Sequence, residues 1–147
     1  MAVEPFRGID PAVVARNLAA VREEAGEGVE ILVACKYAPL EEMGALAEAG
    51  VTLVGENRQQ DLAAKHERWG ESFTWDFIGH LQTNKVGKAL SWCRSIHSVD
   101  RRELATALDR HLKALDRTLP AFVQVNVSGE GTKGGLAPGD VDGFLAW

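Results

Sequence analysis

The sequence predicts an α/β fold in which a parallel β-sheet is covered by helices. Strand-length apolar segments alternate with helical segments about five times along the 147 residues. Successive strand segments begin about 20 to 25 residues apart, which is the spacing of strand–helix units joined by crossover connections. A chain of this length can bury one core, so residues 1–147 are expected to form a single domain.

Capping residues mark the start of the first predicted helix, which precedes the first strand. Asp10 is a favoured N-cap and Pro11 suits the first helical position, so a helix is predicted to begin there. The branched apolar run at residues 30–35 predicts the first strand, which leads into Lys36. Residues 39–49 then show helical periodicity and are followed by a glycine, which is typical of a helix end.

The same alternation predicts four further strands and four further helices. The strands are predicted at residues 51–54, 75–78, 95–99 and 121–127. The helices are predicted at residues 59–69, at 84–90, after the N-cap Asp100, and at 138–147. The helix after Asp100 carries an apolar stripe that is expected to lie in the core and consists of Leu104, Leu108, Leu112 and Leu115.

Two sheet arrangements fit this order of elements. One is an open, doubly wound sheet of five strands; the other is part of a (β/α)8 barrel, which normally takes about 250 residues. Length alone favours the open sheet. In both arrangements ligands bind at the carboxyl ends of the strands, where helix N-termini converge. The polar residues expected at that edge are Lys36, Glu56, Asn57, His80, Ser98, Asn126 and Ser128.

Lys36 has the sequence context of a reactive amine, because it follows a mostly apolar strand whose end would partly desolvate it. Desolvation lowers a lysine pKa, and a neutral amine attacks carbonyl groups. The alternative is a lysine that extends from the sheet rim into water. Asn57 either contacts a ligand or stabilises its turn, Glu56 either orients a site or caps a helix, and His80 offers proton transfer or a polar contact.

Composition disfavours several other classes of protein. Lys and Arg number 16 against 21 Asp and Glu, giving a net charge of −5 and no basic footprint for nucleic acid or an anionic membrane. No secretory signal or apolar stretch of membrane-spanning length is present, so a cytoplasmic protein is expected. Cys35 and Cys93 lack metal-type spacing and are expected to be buried free thiols, with no metal site.

Four strings in the sequence closely resemble the pyridoxal phosphate homeostasis proteins, the YggS/PROSC-type family, whose fold is similar to the N-terminal barrel of alanine racemase. The most specific is Phe-Ile-Gly-x-Leu-Gln-x-Asn-Lys, and the resemblance extends over nearly the whole chain from about residue 10. The strings are 33–36 (VACK), 55–57 (GEN), 77–85 (FIGHLQTNK) and 125–128 (VNVS).

The resemblance implies a (β/α)8 TIM barrel that holds pyridoxal 5′-phosphate (PLP) as a Schiff base on Lys36. It also implies Asn57, His80 and Asn126 as further cofactor contacts, whereas Glu56, Gln82, Asn84 and Lys85 match motif positions without an assigned role. The implied function is intracellular PLP (vitamin B6) and amino-acid homeostasis, with PLP-dependent apoenzymes as possible recipients. A monomer without turnover of its own is expected for the full-length protein.

The sequence departs from the family because it stops within the fifth strand–helix unit. The resemblance implies three more strands and the loops that hold the cofactor phosphate, so the barrel is expected to be truncated. Either the chain is a fragment of a longer gene product, which is the preferred interpretation, or the short form is real and needs a partner to cover its sheet. The rival functions are a fold-type III PLP enzyme, such as an amino-acid racemase, and a non-binding fragment that acts as an interaction module.

Overall fold

The computed structural model describes residues 8–147 and contains six α-helices, five β-strands and three short 3₁₀ turns within that range. Residues 1–7, on which part of the argument against a secretory signal rests, lie outside the described residues. The helices are α1 Pro11–Ala25, α2 Met43–Glu48, α3 Gln59–Trp69, α4 Val86–Leu90, α5 Arg102–Ala114 and α6 Val141–Leu145. The strands are β1 Val33–Ala34, β2 Leu53–Glu56, β3 Thr74–Phe77, β4 Ser95–Val99 and β5 Ala121–Val123.

The five strands form one parallel sheet in the order β1-β2-β3-β4-β5, so each strand lies beside its neighbours in sequence. A doubly wound sheet reverses its strand order at a switch point, whereas a barrel adds each new strand on the same side of the last. The observed order is therefore that of consecutive strand–helix units of a (β/α)8 barrel. The open doubly wound alternative, which length alone favoured, is wrong.

Strand register divides the sheet into two chemically different faces. Val54, Trp75 and Ile96 lie on the helix-covered face, where the ring centroid of Trp75 lies 5.9 Å from that of His66 in α3. The opposite face, here called the inner face, carries polar and partly exposed groups. Its residues include Ala34, Gly55, Asp76, Ser95, His97 and Phe122.

The helix-covered face holds the core. Valine, isoleucine and aromatic side chains from the strands pack there against residues of α2 to α5. The fully buried side chains include Met43, Val54, Leu62, Trp75, Phe77, Val86, Leu90, Ile96 and Leu104. The buried free thiols predicted for Cys35 and Cys93 are confirmed. No helix among the described residues is long and apolar enough to span a membrane.

Several predicted boundaries are wrong, mainly at the two edges of the sheet. β1 is restricted to Val33–Ala34 and β5 to Ala121–Val123, because each pairs with only one neighbour in the described chain. The leucine stripe ends early, since Leu115 is the C-cap of α5 and is 55% exposed. The N-cap of α5 is Arg101, one residue after the predicted Asp100. The predicted helices at 39–49 and 84–90 each begin as a 3₁₀ turn, Leu40–Glu42 and Thr83–Lys85.

Candidate functional site

The polar residues predicted from the sequence follow the carboxyl ends of neighbouring strands. Lys36 and Asn57 each come two residues after the register pair Ala34↔Gly55, which puts them at the same level of the sheet edge. His80 comes three residues after the end of β3. Because parallel strands end at one edge, these three residues share that edge.

Lys36 lies in a turn after β1 and has a solvent-exposed side chain. Its ammonium lies 5.0 Å from the ring centroid of Tyr37, and no hydrogen bond or ion pair is formed by its Nζ within the described chain. A cavity of about 210 Å³ joins Lys36 to Asp61 and Lys65 of α3. The strand end therefore presents an accessible primary amine, without the desolvation expected from the apolar run before it.

A buried charged cluster contacts the main chain that leads into Lys36. The Nζ of Lys65 forms an ion pair with Glu56 and donates a hydrogen bond of 2.8 Å to the carbonyl of Cys35. The second oxygen of Glu56 accepts a hydrogen bond of 3.0 Å from the backbone amide of Asn57. Glu56 and Lys65 are both buried, so this cluster ties the ends of β1 and β2 to α3.

Sequence reasoning did not identify Lys65 as part of the site, although its spacing carried a signal. Gln59, Leu62 and Lys65 are three residues apart along α3 and are all buried. A charged residue in an apolar helical stripe needs a buried partner. Glu56 supplies that partner, and it neither caps α3 nor faces the solvent.

The same surroundings keep the Cys35 thiol protonated. Its Sγ donates to the carbonyl of Gly55 at 3.3 Å and lies 3.6 Å from Oε1 of Glu56. Burial, followed by the negative charge of Glu56, raises the pKa of Cys35 to about 12. A thiol with this pKa is a poor nucleophile near neutral pH, so Cys35 is a packing residue of the strand end.

Asn57 and His80 line one cavity of about 330 Å³, which lies between the loops after β2 and β3. The two loops are in close contact at Gly79, where a Cβ would lie 2.1 Å from the carbonyl oxygen of Asn57. The His80 side chain is 64% exposed, and its Nδ1 lies 3.6 Å from a carboxylate oxygen of Asp100. The structure thus brings Asn57 and His80 together, whereas Lys36 lines a different cavity.

Asn126 lies three residues beyond β5 and uses its side chain within its own loop. Its Nδ2 donates to the carbonyl of Glu130 at 2.9 Å and of Lys133 at 3.3 Å. Its Oδ1 accepts hydrogen bonds from the Ser128 hydroxyl at 3.0 Å and from the Gly129 amide at 3.1 Å. All four contacts stabilise the glycine-rich loop, and the amide is already satisfied there.

A second charged cluster, also missed by sequence reasoning, occupies the inner face. The buried carboxylate of Asp76 accepts hydrogen bonds from Arg94 at 3.1 and 2.9 Å, and it lies 3.2 Å from Nε2 of His97. Arg94 also contacts Glu30 at 2.9 Å. The two carboxylates raise the pKa of the Arg94 guanidinium above its usual range, so this cluster is a permanently charged link between β3 and β4.

Comparison with known sequences finds related proteins but no matching family model. A pyridoxal phosphate homeostasis protein of Mycobacterium bovis is 33% identical, and the alignment covers 92% of this chain and 61% of the relative. The protein of the same name from Aquifex aeolicus is 37% identical, and the alignment covers 79% of this chain and 53% of the relative. The chain therefore spans about three-fifths or less of these curated relatives.

Comparison with solved structures gives the same fold. PipY of Synechococcus elongatus, solved with PLP bound, superposes with a TM-score of 0.80 at 33% identity. The superposition covers 90% of this chain and 62% of the PipY chain. PipY without PLP superposes with a TM-score of 0.81. A protein of unknown function from Bifidobacterium adolescentis has a TM-score of 0.77 at 31% identity.

Proposed function

The chain is related in sequence and fold to the pyridoxal phosphate homeostasis protein family, and from this relationship we propose that it binds PLP through Lys36. The proposed role is to hold PLP for intracellular vitamin B6 and amino-acid homeostasis. The recipients we propose are PLP-dependent apoenzymes, and the full-length protein is proposed to be a cytoplasmic monomer. Residues 1–147 are proposed to belong to one PLP-binding barrel domain.

The observation that carries the proposal is the accessible amine of Lys36 at the carboxyl edge of the sheet. The side chain is exposed and forms no ion pair in the described part of the chain, so its Nζ is available to a ligand. Lys65 is the nearest lysine in its cavity, but its Nζ is held by Glu56 and by the carbonyl of Cys35. Of these two amines, Lys36 is the one that an incoming aldehyde can reach.

The remaining donors at this edge suit the chemistry of the cofactor. When bound, PLP supplies an aldehyde that condenses with a primary amine with loss of one water. Asn57 presents a side-chain amide without a hydrogen-bond partner among residues 8–147, and His80 presents a largely exposed imidazole. We propose that these two side chains orient the ligand beside Lys36. Asn126 contributes only if its loop opens, because its amide is engaged there.

The experiment that tests the proposal traps the link between cofactor and lysine. The purified chain is incubated with PLP, reduced with borohydride, and digested for peptide mass spectrometry. A single adduct on Lys36 is expected, with loss of labelling in Lys36→Ala and full labelling in the matched control Lys88→Ala, which removes an exposed lysine of α4. Equal labelling of several lysines such as Lys88 and Lys113, or no labelling, would contradict the proposal.

A further inference from the structure

The hydrogen-bond ladder between β1 and β2 ends just before Lys36 and Asn57. Its last main-chain bond at the carboxyl edge runs from the Cys35 amide to the Gly55 carbonyl at 3.0 Å. The bonds of parallel strands are evenly spaced, so the next one would join the Asn57 amide to the Cys35 carbonyl. Both of these groups are bonded to side chains instead. The two strands therefore separate at the level of Lys36 and Asn57.

A buried ion pair takes the place of that next bond. The carboxylate of Glu56 accepts a hydrogen bond from the Asn57 amide at 3.0 Å, and the ammonium of Lys65 donates to the Cys35 carbonyl at 2.8 Å. Glu56 and Lys65 pair with each other and are 0% and 5% exposed. Because both main-chain groups are satisfied in this way, the strand ends gain nothing by pairing directly.

The ammonium of Lys65 also holds the turn that carries Lys36. The Cys35 carbonyl accepts a second hydrogen bond, from the Ala38 amide at 2.9 Å, and this bond closes a β-turn around Lys36. Lys65 donates to the same carbonyl from α3 and lines the same cavity as Lys36. The turn is therefore fixed by one bond within itself and by one bond from a helix.

We propose that Lys65 and Glu56 are positioning residues of the cofactor site and set the separation between Lys36 and Asn57. Lys65 acts through the turn that carries Lys36, and Glu56 acts through the main-chain amide of Asn57. Without the pair, direct bonding of the two strand ends would close the gap in which the ligand is held. This role rests on the proposed function, because it concerns the lysine that is proposed to bind PLP.

The role is tested by incubating the full chain with PLP at increasing concentration and reducing it with borohydride. Peptide mass spectrometry measures labelling of Lys36 relative to the exposed Lys88 of α4 in the same sample. Lys65→Met should raise the PLP concentration for half-maximal labelling of Lys36 at least about tenfold, because small displacements of a reacting group are costly. If this variant does not fold, Glu56→Gln/Lys65→Met, which leaves neither charge buried, should show the same loss.

Arg94→Gln is the matched control for a general loss of stability. It removes the guanidinium partner of a second buried carboxylate, that of Asp76, and it lies just before β4, at the opposite edge of the sheet from Lys36. Its labelling of Lys36 should equal that of the parent chain. Equal losses of labelling in Lys65→Met and Arg94→Gln, or parent-like labelling in Lys65→Met, would overturn the positioning role.

Hydrogen exchange without PLP separates this role from the proposed function. Nitrogen–proton NMR should find the Ala38 amide exchanging at least about tenfold faster in Lys65→Met, or in the double variant, than in the parent chain and in Arg94→Gln. Absence of labelling on Lys36 of the parent chain would contradict the proposed function, whereas faster exchange at Ala38 would still support Lys65 as the residue that holds the turn. Unchanged exchange at Ala38 would overturn the positioning role whatever the labelling shows.

Discussion

Lys65 connects three elements through one buried ammonium group. Its Nζ contacts the Glu56 carboxylate of β2 and the carbonyl of Cys35, which directly precedes Lys36. Moving a charge out of water costs several kcal/mol per ion, and the cost is recovered only where a partner and further hydrogen bonds compensate it. Lys65 and Glu56 meet that condition, so the pair fixes the backbone that carries the proposed cofactor lysine.

Removing the ammonium of Lys65 is expected to be strongly destabilising. Lys65→Met leaves the Glu56 carboxylate buried without a countercharge, so the free energy of unfolding should fall by about 3–5 kcal/mol in urea titrations. Lys88→Met, which shortens an exposed lysine of α4, should stay within about 0.5 kcal/mol of the parent chain. The double variant Glu56→Gln/Lys65→Met should lose less than the sum of the single variants. Equal losses for Lys65→Met and Lys88→Met would contradict this.

The buried thiols predict how stability changes at alkaline pH. Burial, with the negative charge of Asp76 as the next cause, raises the pKa of Cys93 to about 12, against an ordinary value of 9.0. Between pH 9 and pH 12 the thiol therefore stays protonated in the folded state and loses its proton in the unfolded state. The contribution of this thiol to the free energy of unfolding is fully present below pH 9 and is lost as pH rises from 9 towards 12. Cys93→Ala should show a shallower decline of the free energy of unfolding above pH 9. Parallel curves for the variant and the parent would contradict this.

At the scale of the elements, the loops after β2 and β3 form one unit because Gly79 allows close backbone contact. A Cβ at this position would lie 2.1 Å from the carbonyl oxygen of Asn57 and 2.5 Å from its Cα. Both atoms belong to the main chain, so they cannot move aside without displacing the whole loop. The contact sets the distance between Asn57 and His80, which are the two proposed cofactor contacts in that cavity.

Gly79→Ala should therefore separate the two loops. The free energy of unfolding is expected to fall by at least about 2 kcal/mol, because overpacking against main-chain atoms costs more than overpacking against a flexible side chain. Gly139→Ala is the matched control, since a Cβ there meets no atom within 4 Å and should change stability by less than about 1 kcal/mol. Urea unfolding of both variants measures the difference. A Gly79→Ala chain as stable as the Gly139→Ala chain would show that the loops move apart freely.

Local signals in the sequence predict the interior elements better than the edges. α3 at 59–69 and β4 at 95–99 have the predicted bounds, because periodicity and flanking polar residues mark both of their ends. β5 is shorter than predicted because its length depends on pairing with neighbouring strands, which no local pattern encodes. The ion pair between Glu56 and Lys65 is likewise a tertiary contact, formed when α3 folds back over the end of β2.

Over the whole molecule, the two faces of the sheet are stabilised by different interactions. The helix-covered face holds the apolar core, whereas the inner face holds the cluster of Glu30, Asp76, Arg94 and His97. In that cluster Arg94 connects the residues before β1 with β3, and it immediately precedes β4. β3 and β4 therefore have both a packed core on one side and charged links on the other.

The unequal support of the strands predicts unequal opening of the sheet. β2, β3 and β4 are almost fully buried, whereas Ala121 and Phe122 of β5 are exposed and the following loop is held mainly by Asn126. Segments with few buried apolar contacts open with a smaller free energy than the core. Hydrogen exchange followed by mass spectrometry should therefore find the amides of β2 to β4 exchanging at least about tenfold more slowly than those of β5 and its loop. Between the loops after β2 and β3, the slower rate should be found at Ile78, whose amide donates to the carbonyl of Glu56 at 2.8 Å. Uniform exchange across all five strands would show instead that the sheet opens as one cooperative unit.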